Sequence, residues 1–455
     1  MKNLNKFFNA KSIAVIGVSR ESEKVGHVIF KNLIDSGYEG NLYPITPNAH
    51  EILGHRCYGN VTEVKGKIEL AVIAISSKII LKVIDDCGKK KIKNLVIITA
   101  GFGEIGNTKL EEELKKKIEK YNMQIIGPNC LGVLETKNNI DCLFLPNYRM
   151  QRPKQGGISF VTQSGAVGSA ILDHAVKQGL RFAKFVSYGN ALNIDESDLI
   201  EYLGQDKDTK VICVYVEGVK NGKKFLDVCR KVSRKKPIIA IKGGVTEAGA
   251  KATLSHTGSL AGSAAVFYGV CEQANVISAK SLEEMFDFAR MFDRYIIPKG
   301  NRIQVVTNGG GYGVLAVDAI HNHGLKLADM RKKSVKDLKK EFADYVVVKN
   351  PIDLTGDAST EGFEIAIKKC LSDSNIDIVI AITLLQTPMI TPKIVDVLTK
   401  LNNTRKKPII VVTTGSRFVE TIKQSLEENK VPCFTFPENA VNAIKQLVLY
   451  AKRRR

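Results

Sequence analysis

The sequence predicts an α/β protein made of three doubly wound units with mostly parallel sheets. Short apolar runs, typical of strands buried on both faces, alternate with longer amphipathic segments that are typical of helices. Many of these runs end in turns rich in glycine and serine, which is where ligands bind in sheets of this kind. At 455 residues the chain is long enough for about three domains.

The first unit opens with a strand and turn that indicate a nucleotide-binding fold. An apolar strand at 12–16 runs into Gly17, and an amphipathic helix follows at 25–34. A nicotinamide site would need a Gly-x-Gly-x-x-Gly turn and an acidic residue after the second strand. Ser19 occupies the second glycine position, and the strand at 40–48 ends without an acid. These departures disfavour a nicotinamide-dependent oxidoreductase.

The same turn carries two cations, Arg20 and Lys24, at the place where a ribose phosphate would lie. They favour a phosphorylated adenosine ligand, and a purely structural turn is the alternative. Further buried strands, each followed by a turn of small residues, are predicted at 70–75, 95–99 and 123–132. We place the end of this first domain at about residue 145 and a linker at 141–156.

The second unit contains a candidate anion site and a well-placed carboxylate. A strand runs directly into Gln163-Ser-Gly165 and a small-residue helix, so the free N–H groups of the helix end point out of the sheet. A simple Ser164 N-cap is the structural alternative. Glu217 follows a buried strand at 211–216, at the carboxyl end where chemistry is usually placed.

A stretch rich in glycine and hydroxyl side chains, residues 242–263, carries the histidine of greatest interest. We predict a mobile loop here, followed by a helix from Ala264 that Ser263 caps. His256 would then be either a solvated loop histidine or a nucleophile moved between two places. Glu217 could orient its imidazole by accepting a bond from one ring nitrogen.

The third unit repeats the strand, glycine turn and helix of the second. Residues 301–318 contain Asn308-Gly-Gly-Gly311, which predicts a second helix N-terminus able to bind phosphate through main-chain N–H groups. Close packing of the helix on the sheet is the alternative reason for the glycines. Further buried strands are predicted at 376–385 and 408–415.

Composition narrows the function further. The net charge of +20 raises a nucleic-acid hypothesis, but the lysines alternate with acids along helical faces and no nucleic-acid-binding motif accompanies them. A basic surface also suits polyanionic small molecules or an acidic partner. The nine cysteines are scattered without metal spacing, which predicts reduced core thiols and no zinc site. With no signal peptide or membrane span in the pattern, we expect a cytoplasmic protein.

Together the motifs resemble the alpha subunits of ADP-forming acetyl-CoA synthetases, relatives of succinyl-CoA synthetase. The resemblance covers essentially the whole chain and is carried by seven motifs in order: Val15-Ile-Gly-Val-Ser-Arg20, Tyr43-Pro-Ile-Thr-Pro-Asn48, Gly127-Pro-Asn-Cys-Leu-Gly132, Gln163-Ser-Gly165, Glu217-Gly218, Ser255-His-Thr-Gly258 and Asn308-Gly-Gly-Gly311. It implies a Rossmann-like CoA-binding domain at 1–145, a flavodoxin-like ligase domain with the phosphohistidine loop at 146–296, and a second flavodoxin-like ligase domain at 297–455.

The resemblance also implies roles for individual residues. His256 would be the phosphorylated histidine and Glu217 its orienting acid. Phosphate would bind at two helix ends, formed by Gln163, Ser164 and Gly165 and by Asn308, Gly309, Gly310 and Gly311. CoA would bind at turns of the first domain that include Gly17, Ser19, Arg20, Lys24, Pro44, Pro47, Ile75, Ser76, Gly101, Pro128, Asn129 and Cys130.

The family's nucleotide-binding module, of the ATP-grasp type, has no counterpart in this sequence, and no Walker-type loop appears. The resemblance therefore implies that ADP or ATP and Mg²⁺ bind a separate beta subunit, in an α₂β₂ heterotetramer. No metal site is expected on this chain. A non-catalytic CoA-binding sensor or scaffold is the alternative function, and succinyl-CoA synthetase proper is disfavoured because its alpha chain would lack the third domain.

Overall fold

A computed structural model describes residues 2–257 and 262–454, and for residues 253–257 it describes the main chain alone. The chain divides between Leu282 and Glu283 into two compact units, called unit 1 and unit 2. Among the described residues, no helix combines the length and apolar character that a membrane span requires.

Unit 1 starts with a parallel sheet. Its elements are α1 (Asn5–Phe8), β1 (Ser12–Ile16), α2 (Val25–Asp35), β2 (Asn41–Ile45), β3 (Glu51–Ile52), β4 (His55–Arg56), β5 (Leu70–Ile73), α3 (Ile80–Lys89), β6 (Asn94–Ile97), α4 (Thr108–Lys120) and β7 (Gln124–Ile126). The strand order is β2–β1–β5–β6–β7, and β3 and β4 form a separate hairpin. Strands β1, β5 and β6 are buried throughout, as their mostly apolar sequences predict.

A second sheet completes unit 1. Its elements are β8 (Gly132–Glu135), β9 (Ile140–Asp141), β10 (Gln155–Thr162), α5 (Gly165–Lys177), β11 (Phe182–Ser187), α6 (Glu196–Gln205), β12 (Val211–Val216), α7 (Gly222–Ser233), β13 (Ile238–Lys242), α8 (Glu247–Thr257), α9 (Ala264–Gln273) and β14 (Ile277–Ser278). The order is β14–β13–β12–β10–β11–β8–β9, with β8 antiparallel to β11. One hydrophobic core runs through parts of both sheets.

The two sheets of unit 1 divide between β7 and β8, earlier than the predicted domain boundary at about 145. Strands β8 and β9 pair in the second sheet, although the sequence prediction assigned them to the first domain. The ends of the predicted linker at 141–156 are also structured, because Asp141 belongs to β9 and β10 begins at Gln155. A buried ion pair of 2.8 Å between Arg152 Nε and Asp141 ties this connection to the sheet. The boundaries at 145 and 296 stay predictions.

The predicted loop at 242–263 is wrong over its middle part, because α8 forms there. The sequence Glu247-Ala-Gly-Ala-Lys-Ala252 is rich in alanine, whose helix propensity outweighs the single internal glycine. Thr246 starts the helix by accepting bonds from the N–H of Gly249 at its Oγ1, 3.1 Å, and from the N–H of Ala250 at its carbonyl, 2.8 Å. The predicted Ser263 cap of α9 is confirmed, since its Oγ accepts the Val266 N–H at 3.5 Å.

Unit 2 contains the third sheet. Its elements are α10 (Leu282–Asp293), β15 (Arg302–Thr307), α11 (Gly310–Asn322), β16 (Lys326–Leu327), α12 (Lys332–Glu341), β17 (Val347–Val348), β18 (Ile352–Asp353), α13 (Thr360–Ser372), β19 (Ile378–Ile382), α14 (Ile394–Asn403), β20 (Ile409–Val412), α15 (Arg417–Glu428), β21 (Cys433–Phe434) and α16 (Pro437–Arg453). The order is β17–β18–β15–β19–β20–β21, with β16 beside β15. The predicted fold class, a Rossmann-like sheet followed by two flavodoxin-like sheets, is confirmed.

Candidate active site

The turn between β10 and α5 is built around two side-chain bonds. Thr162 Oγ1 donates to the carbonyl of Ser164 at 2.8 Å, and Ser164 Oγ accepts the N–H of Val167 at 3.3 Å. Ser164 is therefore the N-cap of α5, and Gly165 is the first residue of that helix. Ser164 therefore has the structural role of a helix cap. Because the cap uses only the N–H of Val167, the other N–H groups of the first turn are available to an anion.

Gln163, the third predicted residue of this turn, positions the main chain at Glu217. Its side-chain oxygen Oε1 accepts the N–H of Glu217 at 2.9 Å and the N–H of Gly218 at 3.2 Å. These bonds join the carboxyl ends of β10 and β12, which are neighbours in the sheet. The Gln163 side chain thereby fixes the distance between the candidate anion site and the candidate acid.

Glu217 is buried at the end of β12 and is held from two further sides. Its Oε1 accepts the hydroxyl of Tyr215 at 3.3 Å. The ammonium of Lys242, also buried, donates to the carbonyl of Glu217 at 3.0 Å and to that of Gly243 at 2.9 Å. Burial lowers the pKa of Lys242 while the Glu217 carboxylate opposes that shift, and burial together with Glu217 raises the pKa of Tyr215 to about 12.

A cleft of about 970 Å³ in unit 1 brings the predicted phosphate turn, Glu217 and part of the predicted CoA site together. It lies at the carboxyl ends of strands from both sheets. Its lining includes Ala74, Ile75, Ile98, Thr99, Asn129, Cys130, Leu131, Phe144, Leu145, Gln163, Ser164, Gly165, Ala166, Ser169 and Glu217. The lining thus combines apolar side chains with polar groups, among them those at the α5 helix end.

Only some of the residues predicted to bind CoA line this cleft. Ile75, Asn129 and Cys130 are among the lining residues, and Cys130 is buried. The other predicted CoA residues are not among the residues that line this cleft. They lie in strands of the first sheet or in the connections that follow those strands: Gly17, Ser19, Arg20, Lys24, Pro44, Pro47, Ser76, Gly101 and Pro128. Arg20 and Lys24 are exposed, and the ammonium Nζ of Lys24 lies 3.7 Å from the carboxylate Oε2 of Glu21. Their roles in CoA binding stay predictions.

The polar residues of the cleft that the sequence prediction missed include Glu104, Glu111, Asn190 and Lys220. Asn190 Nδ2 donates to Glu104 at 2.6 Å and to Glu111 at 3.1 Å, and its Oδ1 accepts from Asn129 at 3.2 Å. Their positions were the available sequence signal. Glu104 follows the glycine turn at 101–103, Asn190 follows the strand that ends at Ser187, and Lys220 follows the strand that ends at Val216. Nothing in the sequence connects residues separated by about 80 positions.

Glu104 is ionised within this network. Burial raises the pKa of its carboxyl, but the bonds from Asn190 and from the N–H groups of Gly101 and Phe102 outweigh burial, so the pKa lies below its usual value. These bonds fold the glycine turn back over the carboxylate. The cleft therefore has a fixed negative charge on its wall.

The side chain of His256 lies outside the described residues. Its main chain belongs to the last turn of α8, and α8 follows β13, the strand beside β12. Its role as a nucleophile stays a prediction. Among the described residues, no group of histidine, cysteine, aspartate and glutamate side chains could hold a metal ion.

In unit 2, the predicted second phosphate turn follows the same design as the first. Thr307 Oγ1 bonds to the carbonyl of Gly309 at 3.1 Å, and Gly309 is the N-cap of α11. The Asn308 side chain accepts the N–H of Leu384 at 2.8 Å and donates to its carbonyl at 3.0 Å. Asn308 therefore positions the turn after β19, as Gln163 does for the turn after β12. Binding of phosphate at the helix end formed by Gly310 and Gly311 stays a prediction.

Family models match all three sheets. A CoA binding domain matches residues 11–136, a succinyl-CoA ligase like flavodoxin domain matches 155–292, and a Ligase-CoA domain matches 303–454. These matches, the cleft and its helix end define the class: a CoA ligase of the succinyl-CoA ligase type.

Similar proteins indicate which kind of CoA ligase the chain resembles. The alpha subunit of acetate–CoA ligase [ADP-forming] II from Pyrococcus furiosus is 39% identical over 99% of this chain and 98% of its own length. An acetate–CoA ligase [ADP-forming] from Methanocaldococcus jannaschii is 41% identical, and the chain spans 62% of that longer protein. The dinucleotide forming acetyl-coenzyme A synthetase 1 of Ca. Korarchaeum cryptofilum, solved in complex with phosphate and ADP, is 36% identical with a TM-score of 0.93, over 100% of this chain and 98% of that one.

The chain belongs to the family of ADP-forming acetate–CoA ligases and corresponds to their alpha subunit. The ligase names of its relatives support an enzyme over the non-catalytic CoA-binding sensor that the sequence left open. The resemblance drawn from the sequence motifs is thereby confirmed.

Proposed function

We propose that this chain is the alpha subunit of an enzyme that converts acetyl-CoA, ADP and phosphate reversibly into acetate, CoA and ATP. Phosphate bound at the N-terminus of α5 attacks the thioester carbonyl, the C–S bond breaks, and CoA leaves as the thiol while acetyl phosphate forms. His256 then takes the phosphoryl group, which releases acetate. ADP bound by the partner subunit removes the phosphoryl group from His256 and becomes ATP.

One observation carries this proposal: Glu217, the α5 helix end and predicted CoA residues line the same cleft. Phosphoryl transfer depends mainly on positioning and electrostatics, and the cleft supplies both. The helix end offers N–H groups to phosphate. Glu217 is fixed because its N–H donates to Gln163, its carboxylate accepts from Tyr215 and its carbonyl accepts from Lys242. Glu217 would accept a bond from one nitrogen of His256, so that the other nitrogen is the nucleophile.

The remaining parts of the proposal concern unit 2 and the partner. The α11 helix end, with Gly309, Gly310 and Gly311, is its second phosphate-binding position. A beta subunit of the ATP-grasp type binds ADP or ATP and Mg²⁺, in an α₂β₂ heterotetramer. A cytoplasmic location fits the nine cysteines, which lie within the described residues, are all buried and form no disulfide.

The decisive experiment replaces His256 by alanine in the complex with the partner subunit. We expect acetyl-CoA-dependent ATP synthesis to be abolished while CoA still binds, because the carrier is lost and the CoA site is not. His321→Ala, at an exposed histidine near the end of α11, is the matched control and should keep full activity. Appreciable ATP synthesis by His256→Ala would refute the assignment.

A further inference from the structure

The charges lining the cleft do not match the proposed substrates. Glu104, Glu111 and Glu217 contribute three carboxylates, whereas phosphate and acetyl phosphate are anions. A helix N-terminus offers about half a unit of positive charge, which is too little to balance them. Among the described residues that line the cleft, Lys220 alone has a basic side chain.

Lys220 is held in place at the cleft by main-chain carbonyls. It lies three residues beyond Glu217, and its ammonium donates to the carbonyl of Asn190 at 2.8 Å and to that of Ala191 at 3.1 Å. Ala191 has a φ of +51°, a left-handed conformation that costs energy for a residue other than glycine. An ammonium has three N–H donors, so two bonds to the protein leave one for a ligand.

Neighbouring lysines are used differently. Lys224 is bound to both carboxylate oxygens of Asp195 at 2.9 Å and to Asp198 at 2.7 Å. Lys242 is buried against the carbonyls of Glu217 and Gly243. Both are thus engaged within the fold, while Lys220 is exposed at the cleft. Both bonds of the Lys220 ammonium go to neutral carbonyls, and its charge also acts on the nearby Glu196, whose pKa it lowers.

We propose that Lys220 contacts the phosphate group at the α5 helix end, both as inorganic phosphate and as acetyl phosphate. This proposal rests on the proposed function, which brings phosphate to this cleft. It adds that Lys220 sets the affinity of the cleft for phosphate. The ammonium offsets the repulsion that phosphate meets from three carboxylates. Its third N–H supplies a charge-assisted bond, which is stronger than a bond between neutral groups.

The test measures the first half-reaction separately from the second. In the complex with His256→Ala the proposed reaction stops at acetyl phosphate, so the phosphate-dependent release of CoA measures the first half-reaction, and a thiol reagent that consumes the released CoA detects it. Into this background we introduce Lys220→Met, which removes the charge and keeps the length. Lys223→Met, at an exposed position in the first turn of α7, is the matched control with the same charge change.

For Lys220→Met we expect the KM for phosphate to rise about 10- to 100-fold, the effect of losing one charge-assisted bond. The KM for acetyl-CoA should stay within about twofold, and Lys220→Arg should recover part of the phosphate affinity. A KM for phosphate equal to that of Lys223→Met would overturn the proposal. An equal rise in both KM values would also overturn it, because that is the effect of a distorted turn.

Phosphate binding measured by calorimetry without acetyl-CoA gives an independent result. We expect Lys220→Met to weaken binding by a similar factor and Lys223→Met to leave it unchanged. If the His256→Ala parent shows no phosphate-dependent CoA release, the proposed reaction order is wrong. Calorimetry would still decide whether Lys220 binds phosphate.

Discussion

Glu217 is held by the side chains of Gln163, Tyr215 and Lys242, and this rigidity is the basis of the first prediction. Glu217→Gln keeps the size of the side chain but removes the charge that would orient and stabilise the imidazole of His256. We expect phosphoryl transfer to slow by about 10²- to 10⁴-fold, the usual effect of losing a positioned acid or base. The rate of His256 phosphorylation from acetyl-CoA and phosphate measures it.

The control is Glu272→Gln, which neutralises an exposed carboxylate on α9. It should phosphorylate at the wild-type rate. If Glu217→Gln also does so, Glu217 has a structural role only.

Glu196, at the start of α6, predicts a pH dependence of stability. Burial raises the pKa of its carboxyl to about 7 from 4.5, with Asp195 adding to the shift, and its Oε1 receives no bond from a described residue. Between pH 4.5 and 7 the folded protein therefore binds more protons at this site than the unfolded chain does. The contribution of Glu196 to stability accordingly falls as pH rises through this window and is constant above it.

Glu196→Gln should remove this dependence. Above pH 7 the variant should be more stable than the wild type by a few kcal/mol, because about 1.4 kcal/mol corresponds to each unit of pKa shift. At pH 4.5 the two should be nearly equal. Denaturant unfolding of both proteins across this range tests the prediction, and parallel stability curves for the two would contradict it.

At the scale of elements, the turn between β1 and α2 depends on a glycine that the main chain itself requires. Gly17 has a φ of +97°, and a Cβ there would lie 2.2 Å from the carbonyl oxygen of Ala74 on the neighbouring strand end. Gly17→Ala therefore combines a left-handed conformation with a clash against main chain that has no room to move. We expect a loss of more than about 2 kcal/mol in the free energy of unfolding.

Gly54→Ala separates the two causes. Gly54 has a φ of +76° but no atom within 4 Å of the added Cβ, so it should cost only about 1 to 2 kcal/mol. Thermal unfolding of both variants gives the comparison. Equal losses would show that the clash at Gly17 is relieved by a shift of the strand end.

The same elements show how far sequence reasoning reaches. The strands β1, β5, β12 and β13 each contain an apolar run of at least four residues, so their positions follow from the sequence pattern. Helix α8 was missed because its glycine and hydroxyl residues suggested a loop, while three alanines favour the helix. Turn chemistry correctly placed the start of α5 at Ser164 and Glu217 directly after β12, while their roles stay predictions.

The contacts between sheets could not be predicted in this way. Asn190 joins Glu104, Glu111 and Asn129, and Lys220 is bound to the turn at Asn190. The contacts of Asn190 with Glu104, Glu111 and Asn129 join turns that follow strands of different sheets, and no local pattern in the sequence encodes them. For the same reason the charge balance of the cleft became visible only in three dimensions.

At the scale of the whole molecule, the chain contains the residues proposed for the formation of acetyl phosphate and for the phosphorylation of His256, the two steps that precede the reaction with ADP. The cleft, Glu217 and both helix ends that would bind phosphate belong to this chain, as does His256. The half-reaction with acetyl-CoA should therefore proceed without the partner.

We accordingly expect the isolated chain to become phosphorylated on His256 when incubated with acetyl-CoA and phosphate. Mass spectrometry at alkaline pH, which preserves phosphohistidine, detects the product, and ADP with Mg²⁺ should remove the phosphoryl group only after the partner subunit is added. His256→Ala in the same incubation controls for phosphate on other residues. If the wild-type chain is phosphorylated only when the partner and Mg·ATP are both present, the phosphorylation site is completed by the partner and the division of labour proposed here is wrong.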